Sequence, residues 1–170
     1  VIRHIKYCLG LDHCGWKSNH YAPPTSLNLI GRKGPTIHFS LFATDAYAQR
    51  FGMPEILSDL AAHNFIDHTM HRHVPSLDPW RAMLKSFAVR LKTPNYLAVL
   101  SALNEGIGIS LQPNYVRFMT PHLMKIRVDL GLNTDAWIIY REERRNVVRI
   151  RVFVDFLLEL SRETQASFFS

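Results

Sequence analysis

Residues 97–115, LAVLSALNEGIGISLQPNY, constrain the fold more than any other stretch. Tyr96, Leu100 and Leu103 recur at i, i+4 and i+7, the spacing of one helix face. Gly106 stands where a glycine ends such a helix. The segment Ile107-Gly108-Ile109-Ser110-Leu111 is short, apolar and bounded by turn residues, which predicts a strand buried on both faces. Pro113 then suits the first turn of another helix, where its missing N–H costs nothing. Helix, strand and helix in such close succession predict a layered α/β domain.

The rest of the chain extends the alternation. Residues 37–43 (IHFSLFA) are expected as a strand, preceded by a turn at Gly31-Arg32-Lys33-Gly34-Pro35. A short helix is predicted over 45–51, capped by Thr44 or Asp45 and stopped by Gly52. A brief helix over 58–63, a strand over 64–68 and a polar loop over 68–78 follow. Asp78 is expected to cap a helix over 79–87 with Pro79 at its first position. A strand over 88–92 leads to Thr93-Pro94-Asn95, the cap of the helix containing Tyr96. Strands over 124–128 and 136–140 precede a helix from Asn146 to the end, with Phe153, Phe156, Leu157 and Leu160 as its buried stripe. This order favours a mostly parallel sheet with flanking helices. Residues 7–11 are read as a strand and 15–26 as a loop.

Composition narrows the classes. The 170 residues are 47% hydrophobic, enough for one ordinary domain or two small lobes. No apolar run reaches the roughly 20 residues that span a bilayer, so no membrane role is expected. The start, VIRHIKY, lacks the layout of a secretion signal, which favours a cytoplasmic setting. Cys8 and Cys14 are read as reduced thiols. The net charge of +6 gathers near the C-terminus, in Arg141, Arg144, Arg145, Arg149 and Arg151. Without an interleaved aromatic stripe or a DNA-reading motif, this is read as a solvated strand-to-helix corner.

Chemistry-bearing motifs are sparse. There is no glycine-flanked nucleophile serine, phosphate loop or paired-cysteine redox motif. Gly106-Ile107-Gly108 follows a helix and precedes a strand, the reverse of a dinucleotide fingerprint. HTMHRH (68–73) and Cys8, His13, Cys14 and His20 carry metal-ligating types but no zinc-finger or ribbon spacing, so neither metal site nor cofactor is expected. No catalytic residue is assigned. Asp67 with His68 is an acid–base pair only if a cleft forms around it.

Four segments carry a family resemblance: FATDAYAQRFGMP (42–54), LSDLAAHNFI (57–66), ALNEGIGISLQPNY (102–115) and AWIIYREERRNVVRIRVFVDFL (136–157). In order and spacing they resemble the effector-binding region of LysR-type transcriptional regulators from Ser26 onward. The resemblance implies an α/β, type 2 periplasmic-binding-protein-like fold: two Rossmann-like lobes joined by two crossing strands, near 37–43 and 124–129. The first lobe would take 1–42 plus 130–170, and the second 43–129. The family's opening strand, first helix and next strand are not recognised here: either the chain is a truncated fragment or residues 1–25 are divergent, and the first lobe is expected to be incomplete. No DNA-binding helix-turn-helix motif is recognised in these 170 residues.

The resemblance also implies a site and a role. Effector contacts would come from His68, Thr69 and Met70 after one strand, and from Thr93, Pro94 and Asn95 at a helix start. A helix start leaves N–H donors free and favours a carboxylate, although Thr93 and Asn95 equally suit a cap. The expected function is to sense a small anionic metabolite in the interlobe cleft, modulating DNA binding by the missing domain. The full-length protein would be a homodimer or tetramer. Two alternatives remain open at this point: a solute-binding protein of a transport system, and an enzyme on the same fold.

Overall fold

The computed structural model describes residue 21 and residues 23–166. The expected strand at 7–11 and both cysteines lie outside them. The chain forms two compact units. One joins the residues up to Pro35 with Asp135–Gln165, and the other is Thr36–Thr134.

In the unit containing Asp135–Gln165, the first part of a long strand β1 (Leu29–Thr44) pairs with β6 (Asn133–Arg141). The turn expected at 31–35 is instead part of β1. Its glycines serve close packing. A Cβ on Gly31 would lie 2.4 Å from Pro24 Cδ, and one on Gly34 3.3 Å from the Ala136 carbonyl oxygen. Lys33 and Asp135 form an ion pair at 2.7 Å. The last helix, α5 (Val148–Thr164), buries Ile150, Val154 and Leu158 against Tyr140, with Ile30, Ile138 and Phe153 around them. The expected stripe is thus corrected: Phe156 is 56% exposed and Leu160 42%. Val148, Val152, Phe156 and Leu160 form a second apolar row at i, i+4 spacing. Periodicity alone does not tell which of two such rows docks.

In Thr36–Thr134, β2 (Asn64–His68) and β3 (Ala88–Thr93) pair in parallel. Ile109 extends that parallel pairing on the other edge of β2, giving its amide to Asn64 O and accepting from Ile66 N, both at 2.8 Å. One residue on, the chain changes partner. β4 (Ser110–Pro113) runs antiparallel to the later part of β1, whose opposite edge takes β5 (Leu123–Lys125), also antiparallel. Segments 37–43 and 124–126 therefore run side by side. The sheets are mixed rather than mostly parallel, because 107–113 divides its length between two partners. Gly108 permits this, since a Cβ there would sit 2.7 Å from the Asn64 carbonyl oxygen. Pro113 ends β4, and the helix after it, α4 (Val116–Met119), starts later than expected.

The helices follow local chemistry. In α1 (Asp45–Phe51) the Thr44 hydroxyl accepts from Tyr47 N, and Gly52 at φ +74° ends the helix. Residues Leu57–Ala62 form a 3-10 helix. The loop 68–78 contains two more, Thr69–His73 and Pro75–Leu77, which bury His71, Val74 and Leu77. In α2 (Asp78–Leu84) the cap position is Leu77, and Asp78 lies inside the first turn, paired with Arg81. In α3 (Tyr96–Asn104) Asn95 is the cap. Its end is closed by Gly106 at φ +63°, with Gly106 N donating to Leu103 O and Ile107 N to Ala102 O. These paired bonds satisfy carbonyls that a helix end otherwise leaves open. Val99, Leu100 and Leu103 of α3 pack with Phe42, Ile66, Val116 and Leu123 as the core of this unit, with Tyr96 and Leu91 at its edge.

Candidate functional site

The parallel pairing of β2 and β3 brings both sequence-predicted residue sets to one place. His68 and Thr93, the last residues of the two strands, are directly paired. His68 Nε2 donates to the Pro94 carbonyl oxygen at 3.2 Å, which ties the loop after β2 to the start of α3. The His68 ring also stands edge-on to Tyr96, centroids 5.7 Å apart, and to His71 at 5.2 Å. Thr69 is half-buried, while Met70, Pro94 and Asn95 are exposed. All six residues lie at the carboxyl ends of parallel strands, where open α/β sheets present ligand sites.

The helix start is already occupied by its own side chains. Asn95 Oδ1 accepts from Leu97 N at 3.0 Å and Ala98 N at 3.3 Å, and Thr93 Oγ1 accepts from Asn95 N at 3.1 Å. Asn95 is thus a helix cap, and Thr93 a strand end that orders it.

Electrostatically, this end of the sheet is held neutral on the histidine side. Burial pushes His71 down to about 3, and the neighbouring His68 adds to the shift. Burial also lowers His68, opposed by its bond to Pro94 and by Asp67. The Asp67 carboxyl is raised by burial, with Lys92 and His68 opposing. A raised carboxyl beside a histidine is an acid–base ingredient. The His68 Nε2 proton, however, is committed to Pro94. Of the HTMHRH histidines, His68 and His71 meet edge-on, while His73 Nε2 accepts from Arg72 Nε at 3.0 Å. Among the described residues no group of three or more His, Cys, Asp or Glu could hold a metal.

Sequence reasoning missed a polar row along β4 and the turn after it. Ser110 and Gln112 share one face of β4, Asn114 follows two residues on, and all three are buried. Ser110 Oγ donates to Ile66 O, and Gln112 Nε2 donates to Ser110 Oγ, both at 2.9 Å. The signal was visible as S-L-Q-P-N, a period of two, but it sat inside a run read for its apolar residues.

Comparison with known proteins agrees with this architecture. No curated protein sequence matches the chain. The regulatory domain of CrgA, a LysR-type transcriptional regulator from Neisseria meningitidis, superposes with a TM-score of 0.67 at 16% identity, covering 84% of this chain and 73% of that one. The Synechocystis PCC6803 CcmR regulatory domain, solved in complex with 2-PG, gives 0.63 at 13% identity, covering 93% and 78%. The regulatory domain of AphB from Vibrio vulnificus gives 0.56 at 21% identity, covering 81% and 71%. Identities this low bear on the fold alone. Residues 20–162, most of the chain, match the family described as the LysR substrate binding domain. The chain belongs to that family, with its type 2 periplasmic-binding-protein-like α/β fold.

Proposed function

We propose that this chain is the effector-sensing part of a LysR-type transcription regulator and carries out no bond chemistry. A small anionic metabolite would be taken up by the Thr36–Thr134 unit, at His68, Thr69 and Met70 and at Thr93, Pro94 and Asn95. The observation that supports this most is the junction of β2, β3 and α3. His68–Thr93 pairing and the His68–Pro94 hydrogen bond bring two distant loops to a helix start. An acidic group on the metabolite would take over the Leu97 and Ala98 amides that the exposed Asn95 side chain now holds. Such a ligand acts by favouring one of two conformations. The altered population would be relayed to a helix-turn-helix domain in the longer regulator, in the cytoplasm and in a homodimer or tetramer.

The test is thermal unfolding of the chain against a panel of aliphatic and aromatic carboxylates. A ligand at free concentration L that binds only the folded state stabilises it by RT ln(1 + L/Kd), about 2.7 kcal/mol at a hundredfold excess over Kd, and the midpoint rises accordingly. The expected result is a concentration-dependent rise for some member of the panel, reduced by His68→Ala. A flat response across the panel, repeated with the longer regulator, would refute the proposal.

A further inference from the structure

The β4 row has an unusual hydrogen-bond balance. Ser110 has a single proton, and Ile66 O receives it. Gln112 must therefore turn its NH2 toward Ser110 Oγ, which fixes its carbonyl oxygen at the other end. That oxygen, Gln112 Oε1, has no hydrogen-bond partner among the described residues, and neither has Asn114 Oδ1. Gln112 is 0% exposed and Asn114 4%. A buried acceptor left unsatisfied is costly, and natural proteins seldom keep two so close together without a use.

Topology places these oxygens at the effector end of the sheet. The Phe65–Ile109 bridge is parallel, so the chain from Ser110 to Asn114 travels in the direction of β2, toward His68. Phe42 is the β1 partner of Ser110 and packs in the core with Val99, Leu100 and Leu103 of α3. Alternate residues of a strand share a face, so Ser110 and Gln112 lie on the α3 side, and Asn114 follows directly after the end of β4, its amide donating to His38 O. The row thus runs from that face toward the carboxyl ends of β2 and β3.

Resting on the effector-sensing reading above, we propose that Gln112 and Asn114 form a subsite for hydroxyl groups, so that the effector is a hydroxylated metabolite. Both acceptors are neutral amides, and no carboxylate stands in the row or across from it on β1, where Phe42 faces Ser110, Ser40 faces Gln112 and His38 O takes the Asn114 amide. A desolvated ammonium would find no counter-charge in that row, whereas a hydroxyl needs none. A site built to receive hydroxyls rejects the deoxy analogue strongly, because its acceptors then stay buried and unpaired. Since both amides are covered, the ligand reaches them only when the cover moves. Binding is in this way joined to a change of conformation.

The test compares ligand pairs that differ only in hydroxyls, tartrate against succinate and glycerate against propionate, by calorimetry and thermal shift on the chain. The expected result is a preference of tenfold or more for a hydroxylated member, falling below twofold in Gln112→Met and Asn114→Leu. Equal response to both members of a pair would overturn the hydroxyl subsite and leave the effector reading standing. Unliganded stability decides separately. Replacing the unpaired Asn114 acceptor by an apolar group of similar shape leaves the melting temperature unchanged or raises it, whereas Gln112→Met also loses the bond from Nε2 to Ser110 Oγ. A fall of 5 °C or more in Asn114→Leu would show that its oxygen is satisfied within the protein, and would overturn the subsite even if no ligand in the panel binds.

Discussion

The two units bury different kinds of side chain. Among the described residues, all the buried polar side chains belong to Thr36–Thr134: Ser40, Thr44, His63, His71, Ser110, Gln112, Asn114 and Thr134. The unit containing Asp135–Gln165 buries apolar residues, with Tyr140, Ile150, Val154 and Leu158 as its core. Burying polar groups adds nothing to stability unless they are paired, and often reduces it. Their concentration in one unit marks that unit as the one whose shape is specified for something other than stability. The other unit reads as a hydrophobic platform. Four experiments, from the largest expected effect to the smallest, would break or sharpen this contrast.

Acid should act on the polar unit. His71 is neutral when folded, with its pKa lowered from 6.5 to about 3, and His63 and His68 are lowered as well. The unfolded chain therefore binds a proton near pH 6.5 that folded His71 refuses until about pH 3. Stability from this group is fully present above pH 6.5 and is lost as pH falls through that window. The loss is about 1.4 kcal/mol per unit and about 5 kcal/mol over the whole window. Every described histidine lies in Thr36–Thr134. Denaturant unfolding at a series of pH values should show this steep loss, with His71→Leu flattening the curve. A wild-type profile already flat between pH 6 and 4 would contradict a neutral buried histidine.

The next effect is steric. Gly108→Ala places a methyl group 2.7 Å from the Asn64 carbonyl oxygen. Backbone cannot swing aside as a side chain does, so the Ile109 bridge to β2 must open. A loss of about 3 kcal/mol is expected. In amide exchange Ile66 and Ile109 should lose protection, while amides of α5 keep theirs. Equal loss in both units would mean that they unfold as one cooperative body, and that the contrast between them has no energetic meaning.

A smaller effect belongs to the helix start. Asn95→Ala removes the acceptor for Leu97 and Ala98 amides and should cost about 1 kcal/mol. If a carboxylate takes over those amides, the same variant binds an acidic effector no more weakly than the parent. Weaker binding by tenfold would instead show that the Asn95 side chain itself touches the ligand. Stability and affinity, measured on one variant, separate capping from recognition.

The legibility of the sequence divides along the same line. The strand at 64–68, the cap before Tyr96, the stop at Gly106 and the face formed by Tyr96, Leu100 and Leu103 were readable, because local chemistry fixes each of them. Gly31 and Gly34 were misread as a turn. Glycine signals both tight turns and close approach, and only the long-range partner β6 tells which one applies. The loops holding His68 and Thr93 could be named from a resemblance, but their junction depends on the pairing of β2 with β3, which no local pattern encodes. Gln112 and Asn114 are legible as a polar alternation, S-L-Q-P-N, inside an apolar run, but which of their polar atoms find partners depends on the neighbouring strands and not on any local pattern.

In the helix α5, Phe156→Ala is the substitution of smallest expected effect and the most direct check on the platform, with Ile150→Ala as its buried control. It carries two apolar rows, and only Ile150, Val154 and Leu158 are buried. Ile150→Ala should cost about 3 kcal/mol through lost burial and the cavity left behind. Phe156→Ala, at a side chain 56% exposed, should change stability by no more than about 0.5 kcal/mol. The pair distinguishes a docked row from an undocked one in the same helix, with equal propensity on both sides. Should Phe156→Ala prove as damaging as Ile150→Ala, the second row would be packed against something in solution. The unit would then be a two-sided layer rather than a platform with one buried face.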